Sequence, residues 1–376
     1  MKIICKQDKL IKALNIVSKA VSQTSTLEIT KGILIKTEGD MQVSFSSTDV
    51  QMSITTKIDA IVNEYGGVVV SARLFTDLIR KLPAGDILIV TDDKNLVTIK
   101  TEMSEYELQG KEEGDFPRIE SEEEGKKIKI DKEVLAELID GTAFAASGDE
   151  SRGVITGVLF ELKEGTLSLV ALDGYRVAIK RERNEVFAGE DVKAVIPAKL
   201  MREISKILAD TAGGEEEEAL IDLDERRMKL YTEDTQVRVN LLEGEYIKYR
   251  DVLPKENKIS TKLGRGELLD AVERAAMLKS EGKYAVVRFS VSDGAVTVSS
   301  RAVEGRGRET VAAEKNGEDI EIGFDARFIT DALKAIPDDI IEIHYNTSVS
   351  PCLIKPAEGD RFEYLILPVR LSTVNV

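Results

Sequence analysis

The chain has 376 residues, of which 42% are hydrophobic and 32% charged, and its formal net charge is −16. This length predicts two or three domains with cores of ordinary size. Cys5 and Cys352 lie far apart and there is one histidine, so neither a disulfide framework nor a zinc site is indicated. We therefore expect no metal, no cofactor and a reduced cytoplasmic setting. We also expect no membrane contact, because no apolar run reaches the ~18 residues of a membrane span.

The first third of the chain changes twice between helical and strand patterns. Apolar residues at helical spacing predict a helix over 9–21, and a second helix is predicted over 72–82 with Ser71 as its N-cap. Strands are predicted at 32–37, 41–45, 51–58, 67–70, 86–90, 96–101 and 105–109.

The same order returns after Gly125 and again from about residue 259. Helices are predicted over 132–146, 198–209, 265–278 and 326–336, the last capped by Asp325. Strands are predicted at 158–162, 167–171, 176–182, 192–196, 219–222, 228–232, 236–241, 285–291, 295–298, 306–312, 340–345, 352–355 and 363–367.

The second helix of each pass provides a direct alignment of the three passes. Segments 70–82, 196–208 and 324–336 align without gaps, and an alanine followed by a basic residue recurs in each: Ala72-Arg73, Ala198-Lys199 and Ala326-Arg327. The period is far longer than the ~20–50 residues of a solenoid unit. We therefore predict an α+β fold of three tandem similar domains, at 1–124, 125–252 and 253–376.

Three like domains in a row suggest a curved chain whose copies associate head to tail into a ring. A ring of two chains has six domain positions and a ring of three chains has nine, and the sequence does not choose between them. The polar helix faces carry many lysines and arginines, whereas acidic runs such as 215–218 lie elsewhere. Helices lining the ring would attract duplex DNA through its phosphates, although each basic residue also fits an ordinary solvated helix face.

The residues indicate no catalytic site. His344 lies in an apolar strand pattern, no phosphate-binding loop motif occurs, and the serines lack a partner histidine. Two alternatives to a DNA ring stay open: a scaffold that binds proteins but never DNA, and an enzyme whose carboxylates come together only on folding.

A tight turn at Asp173-Gly174, between two apolar runs, belongs to a set of motifs with a specific resemblance. The set comprises Ser46-Ser-Thr-Asp49, Ile155-Thr-Gly-Val-Leu-Phe160, Ala171-Leu-Asp-Gly-Tyr-Arg176, Gly244-Glu-Tyr-Ile-Lys-Tyr-Arg-Asp-Val-Leu-Pro254 and Tyr364-Leu-Ile-Leu-Pro-Val-Arg-Leu371. Together they resemble the bacterial sliding clamps, the β subunits of DNA polymerase III, over residues 1–371.

The resemblance implies the DNA clamp fold: a head-to-tail homodimeric ring, lined by helices, that encircles double-stranded DNA of any sequence. It implies a non-catalytic subunit of the DNA polymerase III holoenzyme that acts as a processivity factor. The implied partners are the polymerase III catalytic subunit, the clamp loader and other proteins with clamp-binding motifs.

The resemblance also assigns residues to three surfaces. A hydrophobic groove for partner peptides, between the second and third domains, comprises Ile155, Leu172, Gly174, Tyr175, Arg176, Val177, Ile247, Val252, Leu365, Ile366, Leu367, Pro368, Val369 and Arg370. The DNA-facing residues are Lys12, Arg73, Arg80, Arg152, Lys199, Arg202 and Lys206. The dimer interface pairs Tyr106 and Leu108 with Met277 and Leu278.

Two properties of the groove are expected from its residue types. Apolar walls give affinity for a peptide, and Arg176 or Arg370 is available to a ligand carboxylate. Leu172, Tyr175 and Ile247 depart from the small polar residue, histidine and proline usual in the family, and so they alter the shape of the groove.

Overall fold

The structure is a computed structural model that describes residues 1–22, 25, 27–117, 125–184, 187, 191–211, 217–279 and 285–371. These residues form six α-helices and 25 strands. The helices are α1 Gln7–Val17, α2 Ala72–Lys81, α3 Lys132–Asp140, α4 Ala198–Asp210, α5 Arg265–Ala276 and α6 Ala326–Lys334. None of the helices in the described part is long and apolar enough to cross a membrane.

The strands repeat in the same order as the helices, as expected for three tandem similar domains. In the first repeat they are β1 Lys2–Lys6, β2 Gly32–Glu38, β3 Gln42–Thr48, β4 Met52–Asp59, β5 Ile61–Glu64, β6 Gly67–Ser71, β7 Asp86–Thr91, β8 Leu96–Lys100 and β9 Glu105–Gln109. In the second they are β10 Lys126–Asp131, β11 Gly157–Lys163, β12 Thr166–Leu172, β13 Arg176–Arg183, β14 Val192–Pro197, β15 Glu218–Leu223, β16 Arg227–Tyr231 and β17 Thr235–Asn240. In the third they are β18 Ile259–Gly264, β19 Val286–Ser292, β20 Ala295–Ala302, β21 Gly305–Asn316, β22 Ile320–Asp325, β23 Ile340–Tyr345, β24 Cys352–Pro356 and β25 Phe362–Ile366.

The chain divides into two compact units whose boundaries differ from those of the repeats. One unit comprises Met1–Ala136 with Glu203–Leu241, and the other comprises Glu137–Arg202 with Leu242–Val376. The first contains a five-stranded sheet, β5-β1-β7-β8-β9, and an eight-stranded sheet, β10-β15-β16-β17-β4-β3-β2-β6. The second contains a twelve-stranded sheet, β14-β11-β12-β13-β25-β24-β23-β18-β21-β20-β19-β22.

Consecutive repeats are joined through one recurring strand pair. The last strand of the second repeat, β17, runs antiparallel to β4 with Thr235 opposite Thr56, and their hydroxyls lie 2.8 Å apart. The last strand of the third repeat, β25, runs antiparallel to β13 with Tyr364 opposite Ala178. In both cases a closing strand pairs with the outer strand of the preceding repeat's three-strand meander.

Helical periodicity explains how the helices sit on the sheets. In α2 the buried residues are Ala72, Phe75, Thr76 and Ile79, a spacing that defines one helix face. Arg73 and the other charged residues of this helix occupy the exposed face. Ser71 is the N-cap residue of α2 as predicted, although its side chain makes no capping hydrogen bond, and the Asp325 carboxylate at the start of α6 accepts the Arg327 backbone N–H.

The prediction missed the five strands β1, β5, β10, β18 and β22. Three of these immediately precede the first helix of a repeat, and they are short and partly exposed.

The predicted helix over 132–146 is also too long, since α3 ends at Asp140. There the Thr142 hydroxyl donates to the Leu138 carbonyl oxygen at 2.8 Å, and this local bond competes with continuing the helix.

Candidate functional site

The turn between β12 and β13 is built around the side chain of Asp173. Its Oδ1 accepts the backbone N–H groups of Tyr175 at 2.9 Å and Arg176 at 3.1 Å. Gly174 has φ +89°, a conformation that favours glycine because it has no Cβ. The turn closes the hairpin so that Leu172 stands opposite Val177.

Four of the predicted groove residues form the floor of one apolar cluster. Ile155, Leu172, Val177 and Leu365 are all buried and pack together with other core side chains, among them Tyr246 and Tyr249. The Tyr246 hydroxyl lies 3.3 Å from the carbonyl oxygens of both Gly157 and Val170, so its polar end is satisfied inside the cluster.

Apolar side chains around this floor reach solvent. Tyr175, Ile247, Val252 and Leu367 are 59%, 45%, 49% and 36% exposed, respectively. A group of exposed apolar residues beside a buried apolar cluster is a typical binding surface. We call these four residues, with Ile155, Leu172, Val177 and Leu365, the groove surface.

The C-terminal segment runs alongside this surface. The Leu367 N–H donates to the Tyr175 carbonyl oxygen at 2.9 Å, and the Val369 N–H donates to that of Gly323 at 2.8 Å. Leu365 joins the apolar cluster, whereas strand alternation turns the buried Ile366 to the opposite face of the sheet. Ile366 therefore supports the sheet instead of lining the groove surface.

Arg176 is held inside the protein by several groups at once. Its Nε lies 3.1 Å from Asp173 Oδ2, its Nη1 lies 2.6 Å from Asp331 Oδ2, and its Nη2 donates to the Phe144 carbonyl oxygen at 2.9 Å. The guanidinium also lies 4.7 Å from the centre of the Phe328 ring. This geometry leaves the exposed Arg370 as the better of the two arginines for a ligand carboxylate.

Sequence reasoning missed two aromatic residues beside the turn. Phe328, in α6, stacks on the Tyr175 ring with centroids 5.9 Å apart, and the centre of the Phe144 ring lies 5.3 Å from the Arg176 guanidinium. Phe328 directly follows the third basic residue of the aligned helices, a position that the alignment had already isolated. Phe144 gave no signal because it lay within the predicted helix 132–146.

Two of the strand edges in the described chain combine an unpaired side with nearby exposed apolar side chains. β9 pairs only with β8, and residues 305–312 of β21 pair only with β20. Tyr106 on β9 is 45% exposed. Leu278 packs beside Gly305 and Gly307 on β21, and the neighbouring Met277 is 77% exposed. Each edge therefore combines free backbone groups with apolar side chains.

Comparison with known proteins identifies the relatives of this chain. Family models match along its length: the DNA polymerase III beta subunit N-terminal domain at residues 1–120, its central domain at 129–248 and its C-terminal domain at 250–370. The chain belongs to the DNA polymerase III beta subunit family. Members of this family are non-catalytic processivity factors, the DNA sliding clamps, and the protein is one of them.

Individual relatives agree over nearly the whole length. The beta sliding clamps of Halalkalibacterium halodurans and Staphylococcus aureus are each 32% identical and cover 98% of this chain, which in turn covers 100% and 99% of theirs. Among solved structures, the Bacillus subtilis DNA polymerase sliding clamp has a TM-score of 0.93 at 29% identity, covering 99% of this chain and 100% of its own. A Pseudomonas aeruginosa sliding clamp bound to griselimycin has a TM-score of 0.92 at 27% identity, with the same coverage.

The predicted DNA-facing residues of this sliding clamp differ in whether other groups of the chain already bind them. Lys12, Arg73 and Lys199 are exposed, and among the described residues they form no ion pair. Arg80 donates to Asn15 at 2.6 Å and Arg202 to the Ala143 carbonyl oxygen at 2.7 Å.

The remaining two predicted DNA-facing cations are bound by other groups of the chain. Lys206 pairs with Glu203 at 2.8 Å, and Arg152 donates to the Asp173 carbonyl oxygen at 2.5 Å, which places it beside the groove turn. Two further cations on helix faces, Arg274 and Lys334, pair with glutamates. The positive charge of the helices is therefore partly neutralised inside the chain.

The first repeat contains the same strand geometry without an apolar floor. The strand registers place Thr30, Thr48 and Ser53 where the second repeat has Ile155, Leu172 and Val177. The Thr48 and Ser53 hydroxyls lie 2.8 Å apart and satisfy each other. At these three positions the first repeat has hydroxyl side chains and the second repeat has apolar ones. The apolar floor of the groove surface is therefore not repeated at these positions of the first repeat.

No side chains suited to metal or nucleophilic chemistry converge in the part of the chain that is described. Within it, no group of three or more His, Cys, Asp or Glu residues could hold a metal ion. Burial lowers the pKa of His344, whose Nε2 lies 3.4 Å from Glu342, and this favours a neutral structural imidazole. Burial raises the pKa of the Cys5 thiol to about 12, so this cysteine is unreactive at neutral pH.

Proposed function

We propose that this sliding clamp works as a head-to-tail homodimeric ring around duplex DNA in the cytoplasm, with domains at 1–124, 125–252 and 253–376. The ring holds the DNA polymerase III catalytic subunit, the clamp loader and other clamp-binding proteins at its groove surface. One observation carries the proposal. The last strands of the second and third repeats, β17 and β25, each pair with the outer meander strand of the repeat before, β4 and β13. A second copy supplies the same pair for the third repeat.

The repeats specify the register of this missing pair. Val237 on β17 stands opposite Ile54, and Tyr364 on β25 stands opposite Ala178. The strand ladders place Tyr106 at the position of Val237 and Tyr364, and Gly307 at the position of Ile54 and Ala178. We therefore expect Gly307 to stand opposite Tyr106 of the partner subunit.

Charge and shape both fit this register. Arg308 then stands opposite Glu105 of the partner subunit, and Arg306 stands opposite Glu107 of the partner subunit, giving two opposite-charge cross-strand pairs on one face. All four of these side chains are exposed in the single chain.

On the other face of the same strand pair, Gly305 and Gly307 leave room beside Leu278 for apolar side chains. Leu108 of the partner subunit would enter that space together with its neighbouring tyrosine. Two exposed apolar residues would be covered in the dimer. Leu74, 59% exposed, occupies the position in the repeat that Phe328 has in α6, and Val303, 93% exposed, occupies a position in the turn that corresponds to the Asp173–Arg176 turn.

A ring explains how an acidic protein can stay on DNA. Lys12, Arg73 and Lys199 supply exposed cations on three helices, and phosphate contacts of this kind are independent of sequence. We assign Arg80, Arg202 and Lys206 to the same face with smaller contributions, since each already has a hydrogen-bonding partner. Arg152 is better placed beside the groove surface.

Retention on DNA tests the ring. Loaded onto nicked circular DNA, the protein should remain bound in ~0.5 M salt, because the salt weakens phosphate contacts but not a topological link. Cutting the circle should release it within the time of sliding to an end. Equal retention on cut and uncut DNA would contradict the proposal, as would no retention after loading.

The peptide-binding role of the groove surface has a separate test. Griselimycin is the ligand in a relative's structure, and titration calorimetry of this protein with griselimycin measures whether a comparable site exists. We expect one site per chain and competition with a peptide from the polymerase III catalytic subunit. The Tyr175→Ala variant should bind more weakly, whereas Tyr65→Ala, another exposed tyrosine, serves as the matched control.

A further inference from the structure

In each repeat, the segment after the closing strand returns to the strand that precedes the second helix. Lys111 and Val69 exchange two backbone hydrogen bonds of 2.8 and 3.0 Å. The Leu242 N–H donates to the Val195 carbonyl oxygen at 2.8 Å, and the Val369 N–H donates to that of Gly323 at 2.8 Å. Val69, Val195 and Gly323 each lie three residues before the aligned alanine of the second helix.

The third repeat departs from the other two at this position. Cγ1 of Val69 lies 2.5 Å from where a Cβ on Gly32 would stand, and Cγ1 of Val195 lies 2.6 Å from the same point at Gly157. In these repeats a valine therefore covers a glycine of the neighbouring strand. The third repeat reverses the two residues, with Val286 in place of the covered glycine and Gly323 in place of the valine.

A side chain of the C-terminal segment fills the space left at Gly323. Cδ2 and Cγ of Leu371 lie 2.6 and 3.0 Å from the position of an added Cβ, and the Val369 carbonyl oxygen lies 3.0 Å from it. These distances are shorter than van der Waals contact, so no larger residue fits while Leu371 stays in place.

We propose that Gly323 and Leu371 form an anchor that holds Leu367 in the groove surface and residues 368–370 beside it. Both are positioning residues, and this inference rests on the proposed peptide-binding role of that surface. Without the anchor, the segment keeps its hydrogen bond to Tyr175 but becomes free beyond Pro368. A ligand must then order it, which reduces the apparent affinity by the fraction of chains in the ordered state.

Calorimetric titration of the full-length dimer with griselimycin tests the anchor. We expect Gly323→Ala and Leu371→Ala each to weaken binding by about tenfold or more. The double variant should be little weaker than either single one, because both changes break the same contact. Gly266→Ala is the matched control, since nothing lies within 4 Å of an added Cβ there. Affinities of Gly323→Ala and wild type within twofold, or additive losses in the double variant, would overturn the proposal.

Hydrogen exchange separates failure of the anchor from failure of the groove assignment. The Val369 amide should exchange at least tenfold faster in Gly323→Ala, while the Val69 and Val195 regions and the melting temperature stay unchanged. If the wild-type protein does not bind griselimycin, the groove assignment fails, and faster Val369 exchange still supports the anchor. Unchanged exchange at Val369 in a folded Gly323→Ala protein refutes the anchor whatever the ligand does.

Discussion

The strand register deduced for the proposed subunit interface predicts that reversing the charges on one of its two strands weakens the dimer. The perturbation is Arg306→Glu with Arg308→Glu, which in the proposed dimer would place glutamates opposite Glu105 and Glu107 of the partner subunit. Opposite charges at directly facing cross-strand positions contribute about 0.2–1 kcal/mol per pair, and like charges cost similar amounts. Reversing two pairs therefore costs about 1–4 kcal/mol at each interface.

A two-chain ring contains this interface twice, so the total loss is about 2–8 kcal/mol. At 1.4 kcal/mol per tenfold change, the dimer dissociation constant should rise at least ~20-fold. Lys100, which lies 3.0 Å from Glu105 in the same chain, competes for that carboxylate and favours the lower part of the range. The effect should shrink in ~1 M salt, where the Debye length falls to about 3 Å.

Sedimentation velocity over a concentration series provides the assay. The complementary variant, Glu105→Arg with Glu107→Arg, should also dissociate when alone. An equimolar mixture of the two variants should recover a dimer, because one interface is wild type and the other has both charges reversed. Wild-type dimerisation of either variant alone, or no recovery on mixing, would refute the deduced register.

Three other predictions concern single residues. Val50 holds an exposed β-branched side chain at φ +79°, so Val50→Gly should leave the free energy of unfolding unchanged or raise it by up to ~1 kcal/mol, and a loss above ~2 kcal/mol in urea unfolding would contradict this. Burial alone would raise the pKa of Glu161, but hydrogen bonds from Arg250 and Tyr249 hold that pKa below its ordinary value of 4.5. Its stabilisation is therefore fully present above pH 4.5 and is lost as the pH falls below 4.5 through the folded-state pKa, so Glu161→Gln should unfold more easily than wild type at pH 7, and a difference in unfolding free energy that does not narrow in acid argues against the assignment. Leu172→Thr, which copies the first repeat, should weaken griselimycin binding about tenfold or more in calorimetry while the dimer persists, and unchanged affinity would remove Leu172 from the groove surface.

Much of the fold could be predicted from the sequence because helices and strands have local periods. The helix faces of α2 and α6, the cap at Asp325 and the turn at Asp173 all follow from residues close together in the chain. The triplication also needs only the sequence, since aligned helices do not depend on their neighbours in space. The missed strands carry weaker patterns, because short and half-exposed strands have few positions at which alternation can show.

The resemblance provided the groove residues as a set, and the structure divided them by role. Leu365 and Ile366 are adjacent in sequence, yet strand alternation sends one to the apolar cluster and the other to the opposite face. Arg176 or Arg370 was expected to be available to a ligand carboxylate, and in the structure the Arg176 guanidinium is bound by Asp331, 155 residues away. No local pattern records such a contact, because it depends on how two repeats meet.

The amino-acid sequence by itself determined that the protein consists of three similar domains with amphipathic helices, and it contains no sequence motif for catalysis. The tertiary structure alone decided which strands meet, which junction is apolar and which edges remain free. The physical reason is that a strand's period of two residues specifies its buried face but not its partner or register. Partner and register depend on side chains that come together only after the chain has folded.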